Sequence, residues 1–256
     1  MSEPRLIEWY GWIPDLPDKR DFAYSAPGAV VGDLPPKVDL RPACPPVFSQ
    51  NELGSCTANA IGAAHMFNQM KQGSKVMTPS RLFIYYGERE MEGTVGVDSG
   101  AQIRDGIKVV AEKGTCDETE WPYVIPKFRD RPTDECYRLA LDHQAVMYSR
   151  IAQDLNQMKG CLASGFPFVF GFTVYNNFET QEVAKTGVLG MPGKGERALG
   201  GHAVMCVGYD APANSFVVQN SWGTDWGQAG FFTIPFSYLL DSDLAADFWT
   251  IRMVEA

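Results

Sequence analysis

From residue 55 the chain reads SCTANAIGAAHMFNQMK, in which Cys56, Ala60, Ala64 and Phe67 fall on one face of a 3.6-residue period, with Ala63 and Met70 beside them. That spacing predicts a helix. Its small residues, Ala58, Ala60, Gly62, Ala63 and Ala64, let neighbouring backbone come close, so the helix is expected at the centre of a lobe. Thr78, Pro79 and Ser80 predict a second helix start, with Leu82, Ile84, Tyr85 and Tyr86 as its apolar positions. Residues 100–113 predict a third helix, stopped by Gly114. The period then changes: residues 166–174, 203–209, 215–218 and 230–234 read as strands between Gly-, Pro- and Asn-rich turns. Helices first and strands second predict an α+β protein with two lobes and a cleft between them.

The first stretch, to Pro46, is dense in proline and carries neither period. Trp9, Tyr10, Trp12, Ile13, Phe22 and Tyr24 are too many large apolar groups to leave in water, while the prolines forbid a packed helix or central strand. Residues 1–33 are therefore expected to form an extended arm lying in a groove. Two grooves fit: the cleft, where the arm would be an autoinhibitory or gating segment, and the back of one lobe, where it would be a staple.

Composition narrows the function classes. The net charge of −9 repels phosphate backbones and anionic lipid, which excludes nucleic-acid binding as the main role. The longest nearly apolar run, residues 165–175, falls short of the roughly 20 residues of a membrane-spanning helix. The opening residues mix Glu3, Arg5, Glu8 and Asp15 with prolines, unlike a signal peptide, so a cytoplasmic location is expected, with non-classical export left open. Cys44, Cys56, Cys116, Cys136, Cys161 and Cys206 make no C-x-x-C pair and have three histidines to join. A structural zinc site and a disulfide scaffold are both disfavoured, and neither metal nor organic cofactor is expected. Gly193-Lys194-Gly195 lacks the other residues of a phosphate loop, and residues 187–201 read as a surface loop leading to His202.

Candidate chemistry begins at Gln50-Asn-Glu-Leu-Gly-Ser-Cys56, a Gly-Ser-Cys turn feeding the buried helix. A thiol at a helix N-terminus feels the positive end of the macrodipole, which favours thiolate. A nucleophile and a small buried apolar cysteine are equally compatible with this segment. His65, inside the same helix, and His143, in polar text, read as structural or surface residues. His202 differs, because Gly200 and Gly201 leave its ring accessible at the mouth of a strand. Eighteen residues on, Asn220 offers an amide oxygen to hold the imidazole tautomer and Trp222 a ring to shield that hydrogen bond.

Gln50, Gly54-Ser55-Cys56, Gly201-His202-Ala203 and Asn220-Ser221-Trp222-Gly223 together resemble the pattern of the papain family of cysteine proteases. The likeness runs from residues 34–41, similar to the start of a mature domain of that family, past residues 226–231. It implies a helical lobe and an antiparallel β-barrel-like lobe over residues 34–256, with the active site between them. It implies Cys56 as nucleophile, His202 as general base and later acid, Asn220 as orienter, and Gln50 with the Cys56 backbone N–H as oxyanion hole. Peptide or protein substrates would be cleaved through a thioester acyl-enzyme. Backbone of Ser99, Gly100 and Ala101 would hold the extended peptide, Ala101, Ile103, Gly171 and Ala203 would line an apolar pocket, and Trp222 joins the substrate-binding set. Two rivals stay open: acyl transfer to an amine, and a non-catalytic binding module, the latter disfavoured because every polar site member is present.

The chain departs from larger members of the family in three places. Leu53 and Asp98 stand where those carry a disulfide, Thr57 follows the nucleophile in place of Trp, and the arm is shorter than the usual helical prosegment. The last two traits resemble small bacterial members.

Overall fold

The computed structural model describes residues 10–255, so Trp9 lies outside the described part. In chain order the elements are β1 (Trp12–Ile13), α1 (Gly28–Gly32), β2 (Lys37–Asp39), α2 (Cys56–Gln72), α3 (Arg81–Glu92), β3 (Ala101–Gln102), α4 (Ile103–Glu112), α5 (Asp134–Ala140), β4 (Ala145–Arg150), α6 (Leu155–Ala163), β5 (Phe168–Tyr175), α7 (Gln181–Thr186), β6 (Ala198–Asp210), β7 (Ser215–Gln219), β8 (Phe231–Pro235), α8 (Phe236–Leu240) and β9 (Ala245–Val254).

Helices α2 and α3 both end on a glycine in the left-handed region, Gly73 at φ 67° and Gly93 at φ 72°, a conformation that a Cβ would strain. The start of α3 lies one residue later than expected. Ser80 is its cap, accepting from the Phe83 N–H, and Pro79 precedes it. The third expected helix runs from Ile103 to Glu112, starting three residues later and ending one earlier than expected, since Ala101 and Gln102 form β3. None of the described helices is long and apolar enough to cross a membrane.

Seven strands form an antiparallel sheet in the order β4-β9-β5-β6-β7-β8, with β2 also on β6. Strand β5 shows why its sequence reads as one apolar run: alternate side chains enter different cores, and both are buried. Phe168, Phe170, Phe172 and Val174 join Phe216, Phe232 and Phe248 on one face. Val169 faces the other way, toward Met205, Val207 and Trp249 of the sheet and Ile61 and Ala64 of α2. Each fully buried ring of this kind contributes about 2–3 kcal/mol of hydrophobic stabilisation. The second core joins the helices to the sheet, and Asn68 of α2 also donates to the Ile251 carbonyl, at 2.9 Å. Strands β4 and β9 were not among those expected from period. The β9 pattern is broken by Asp247, held at φ 60°.

The six cysteines are free, with Cys161 and Cys206 wholly buried. His65 is buried, its Nδ1 facing the Gln69 amide at 3.1 Å and its Nε2 the His143 carbonyl at 3.0 Å, a structural role as expected. His143 follows the end of α5.

Candidate active site

The turn before α2 is pinned from three sides. Asp98 accepts from the Gly54 N–H at 3.0 Å and from the Tyr85 hydroxyl. Tyr123 donates to the Gln50 carbonyl at 2.9 Å and bonds the Ser55 hydroxyl at 2.6 Å. Ser221 donates to the Gln50 side-chain oxygen at 2.6 Å. A polar clasp from Asp98 thus braces the turn at the position where larger relatives were expected to carry a disulfide. The Gln50 amide nitrogen donates to the Leu53 carbonyl at 3.0 Å, which uses one of its two hydrogens. Thr57 donates to buried Glu88 at 2.8 Å, behind the first turn of α2.

His202 arrives on β6, opposite Phe172 of β5. Asn220 follows Gln219, the residue of β7 paired with Met205, so the β6–β7 register brings the amide beside the ring. The His202 Nε2 lies 2.8 Å from the Asn220 Oδ1, which also accepts from the Ser221 N–H at 2.9 Å. An oxygen that already accepts assigns the ring proton to Nε2 and leaves Nδ1 as the basic nitrogen. The Nδ1 has no hydrogen-bond partner among the described residues. Trp222 lies over the ring at 5.2 Å between centroids, shielding the amide contact as expected. The backbone N–H of Ala203, next to His202, points at the Cys56 Sγ from 3.4 Å. Helix α2 and strand β6 therefore meet at the Cys56 thiol, one residue along the strand from His202.

The arm crosses the same place. The Gly11 carbonyl accepts from the Ala101 N–H at 2.7 Å, and β1 runs parallel to β3 with Trp12 beside Ala101. A Cβ on Gly11 would lie 1.7 Å from the Gly54 carbonyl oxygen, so only glycine passes over the thiol-bearing turn. The Tyr10 ring meets the His202 ring edge-on at 5.9 Å. Farther along, the arm lies along β4, with the Tyr24 backbone N–H donating to the Arg150 carbonyl at 2.8 Å. Residues 10–12 thus lie at the thiol and the imidazole, and residues 22–24 lie along β4. The apolar residues divide unequally: Trp12 is buried, Tyr10 and Tyr24 are half-buried, and Ile13 and Phe22 remain exposed, Phe22 at 64%. The expectation that all of them need a groove fails for those last two.

Of the residues expected to bind substrate, Gly100, Ala101 and Gly171 touch the arm directly. The Ala203 side chain is buried in the interlobe core and its N–H faces the thiol. Ser99 turns its hydroxyl to Thr94 and to the Gly100 carbonyl. Ile103 is wholly buried in the interlobe core, and Trp222 sits on the imidazole. Sequence reasoning missed Asp98, Tyr123, Glu88 and Asp247, whose partners lie far away in the chain and leave no local spacing.

Burial dominates the electrostatics of both groups. It pushes the Cys56 thiol up to about 12, against N–H groups of Ala203, Gly11 and Thr57 that favour thiolate. It also lowers His202 to about 4, against the Asn220 hydrogen bond that favours imidazolium. In the covered cleft both groups are neutral.

A thiol at a helix start, with the Ala203 N–H on its sulfur and an imidazole oriented by an amide on the neighbouring residue, has the parts of a thiol enzyme of the acyl-transfer class. Residues 34–238 match the papain family cysteine protease profile. Xylellain, a cysteine protease of Xylella fastidiosa, is 44% identical, with a TM-score of 0.90 and 98% of each chain covered. An uncharacterized peptidase C1-like protein of Acanthamoeba polyphaga mimivirus is 42% identical over 99% of this chain and 90% of its own. A cathepsin B-like protein of Giardia intestinalis is 30% identical over 84% and 74%. The chain belongs to the papain family of cysteine proteases and is a cysteine-type peptidase with that family's two-lobed α+β fold.

Proposed function

We propose that Cys56, His202, Asn220 and Gln50 cleave peptide bonds in an extended substrate, and that residues 1–33 gate the cleft over a catalytic domain of residues 34–256. The reading rests above all on the Ala203 N–H at 3.4 Å from the Cys56 Sγ, which brings the strand carrying His202 against the helix carrying the thiol. Once the cleft is open, the His202 Nδ1 takes the thiol proton and Sγ attacks the scissile carbonyl carbon. The oxyanion is met by the Cys56 backbone N–H and the second Gln50 amide hydrogen. His202 then protonates the leaving amine as the C–N bond breaks, and water, activated by the same ring, hydrolyses the thioester. Acyl transfer to an added amine is the outcome that product analysis distinguishes. Rapid labelling of Cys56 by a thiol-directed epoxide at mildly acidic pH, in a chain whose arm has been displaced, tests the assignment, since an inert buried thiol does not react.

Asn220→Ala removes the orienter and spares nucleophile and base. The loss of a buried hydrogen bond of about 1–3 kcal/mol lowers kcat roughly 10- to 100-fold. Steady-state kinetics with unchanged kcat would assign orientation of the ring to another group.

Arm docking has a signed pH dependence. Burial lowers His202, so docking favours the neutral ring and is opposed as pH falls from 6.5 toward about 4. Burial raises Asp15 of the arm from 3.8 to about 6, so docking favours its protonated form and strengthens over nearly the same window. The two oppose each other, and acid by itself does not free the arm. Cys56 has no such counterweight: docking favours the thiol, and is opposed as pH rises through the value at which the open cleft forms thiolate. Hydrogen exchange at the Ala101 amide is expected to show protection that does not fall as pH drops from 6.5 toward about 4 and that weakens as pH rises through the titration of the open-cleft thiol. Loss of protection on acidification instead would overturn this balance.

A further inference from the structure

We propose that the side-chain pocket of this peptidase selects tryptophan in its substrates, with Gly171 setting the depth and Asp247 the chemistry of its floor. The proposal builds on the reading of the arm-filled cleft as the peptide-binding site. The arm is an extended chain, and the side chain it sends into the pocket beside Ala101 is Trp12. That indole is buried in a slot that glycines leave open. A Cβ on Gly171 would lie 2.0 Å from its Cε2, and one on Gly201 would lie 2.6 Å from its Cε3. Any other residue at 171 shortens the slot, so its present shape accommodates a flat bicyclic ring.

The floor is polar. Asp247 is 2% exposed and held at φ 60°, a conformation that costs an L-residue of order 1 kcal/mol. One carboxylate oxygen, Oδ1, is held by Arg150 at 2.7 Å. The other, Oδ2, accepts from the Trp12 indole N–H at 3.1 Å and from the Asp15 backbone N–H at 2.8 Å. Both donors to Oδ2 belong to the arm. When the arm leaves, Oδ2 faces the slot without its two donors, and a buried acceptor left unpaired is costly. A substrate tryptophan fills the ring space and returns an N–H to Oδ2. Phenylalanine fills much of the space and leaves Oδ2 bare, while leucine does neither. Cationic side chains are disfavoured, because departure of the arm also removes Asp15 and Asp21 from Arg104 and Arg150, leaving two guanidiniums against one carboxylate.

The test uses the full chain carrying Trp12→Ala, which vacates the slot, and a positional-scanning set of fluorogenic peptides. The expected result is one peptide position at which tryptophan exceeds phenylalanine roughly tenfold in kcat/KM, the scale of one charge-assisted hydrogen bond. Adding Asp247→Asn, a residue that tolerates positive φ, turns the Asn oxygen to Arg150 and its NH2 to the slot, where it meets the indole N–H donor to donor. The tryptophan-to-phenylalanine ratio then drops below one. Gly171→Ala, whose backbone is not left-handed, instead moves the preference from aromatic to smaller side chains. Calorimetry of peptide amides bearing Trp or Phe at that position reads the same ratio without turnover. Absence of any hydrolysis with a normal binding ratio would count against the catalytic assignment and leave the pocket intact. Equal binding of Trp and Phe peptides, or a preference that survives Asp247→Asn, would overturn the pocket proposal.

Discussion

Cys56→Ala is expected to lower kcat by roughly 10⁵- to 10⁶-fold, the loss seen when a nucleophile is removed and only binding and the oxyanion hole remain. No other thiol can take its place: Cys161 and Cys206 are enclosed in the sheet-side core, with their sulfurs against the carbonyls of Phe166 at 3.5 Å and Gly208 at 3.6 Å. Cys161→Ala and Cys206→Ala are therefore expected to lower stability by about 1 kcal/mol and leave turnover in place. His202→Ala is nearly as severe as Cys56→Ala, since the thiol loses the base that activates it. Active-site titration alongside thermal melts separates the two kinds of effect. Equal loss of turnover in all three cysteine variants would remove Cys56 from its role.

Gly11→Ala should free the cleft. The new methyl would sit 1.7 Å from the Gly54 carbonyl oxygen, on a turn that Asp98 and Tyr123 prevent from yielding. Overlap with backbone is relieved most easily by lifting the arm, since the turn is held from three sides by Asp98, Tyr123 and Ser221. Apparent activity of a gated site is its intrinsic activity multiplied by the open fraction, so a closed state favoured by about 3 kcal/mol hides roughly 99% of it. On that scale Gly11→Ala raises kcat/KM on a short peptide about 100-fold and speeds Cys56 labelling similarly. Deletion of residues 2–33 is expected to act in the same direction. A folded Gly11→Ala protein no faster than the parent would make the arm structural and end the gating proposal.

The chemistry was legible in the sequence because each of its parts is a short local pattern: Gln50 through Cys56, Gly201-His202-Ala203, Asn220-Ser221-Trp222. The helix carrying the thiol was legible because its face repeats at 3.6 residues, and β5 because its strand residues run apolar without a break. Less was readable where a residue's meaning depends on a distant partner. Asp98 looked like a missing cysteine and is the acceptor that holds Gly54. Strand β9, central in the sheet between β4 and β5, was hidden by the aspartate that interrupts its alternation.

By itself, then, the sequence determined the helices-before-strands order, the two-lobed class and the candidates for nucleophile, base and orienter, each read from windows of about ten residues. Tertiary structure alone decided that Gly11 and Trp12, rather than the rest of the arm, occupy the cleft, that Phe22 stays in water, and that Asp15, Asp21, Asp247, Arg104 and Arg150 converge behind the pocket. The physical reason is that those contacts join residues as much as 235 positions apart, and burial, charge balance and packing space at such a junction belong to no segment of the chain taken separately.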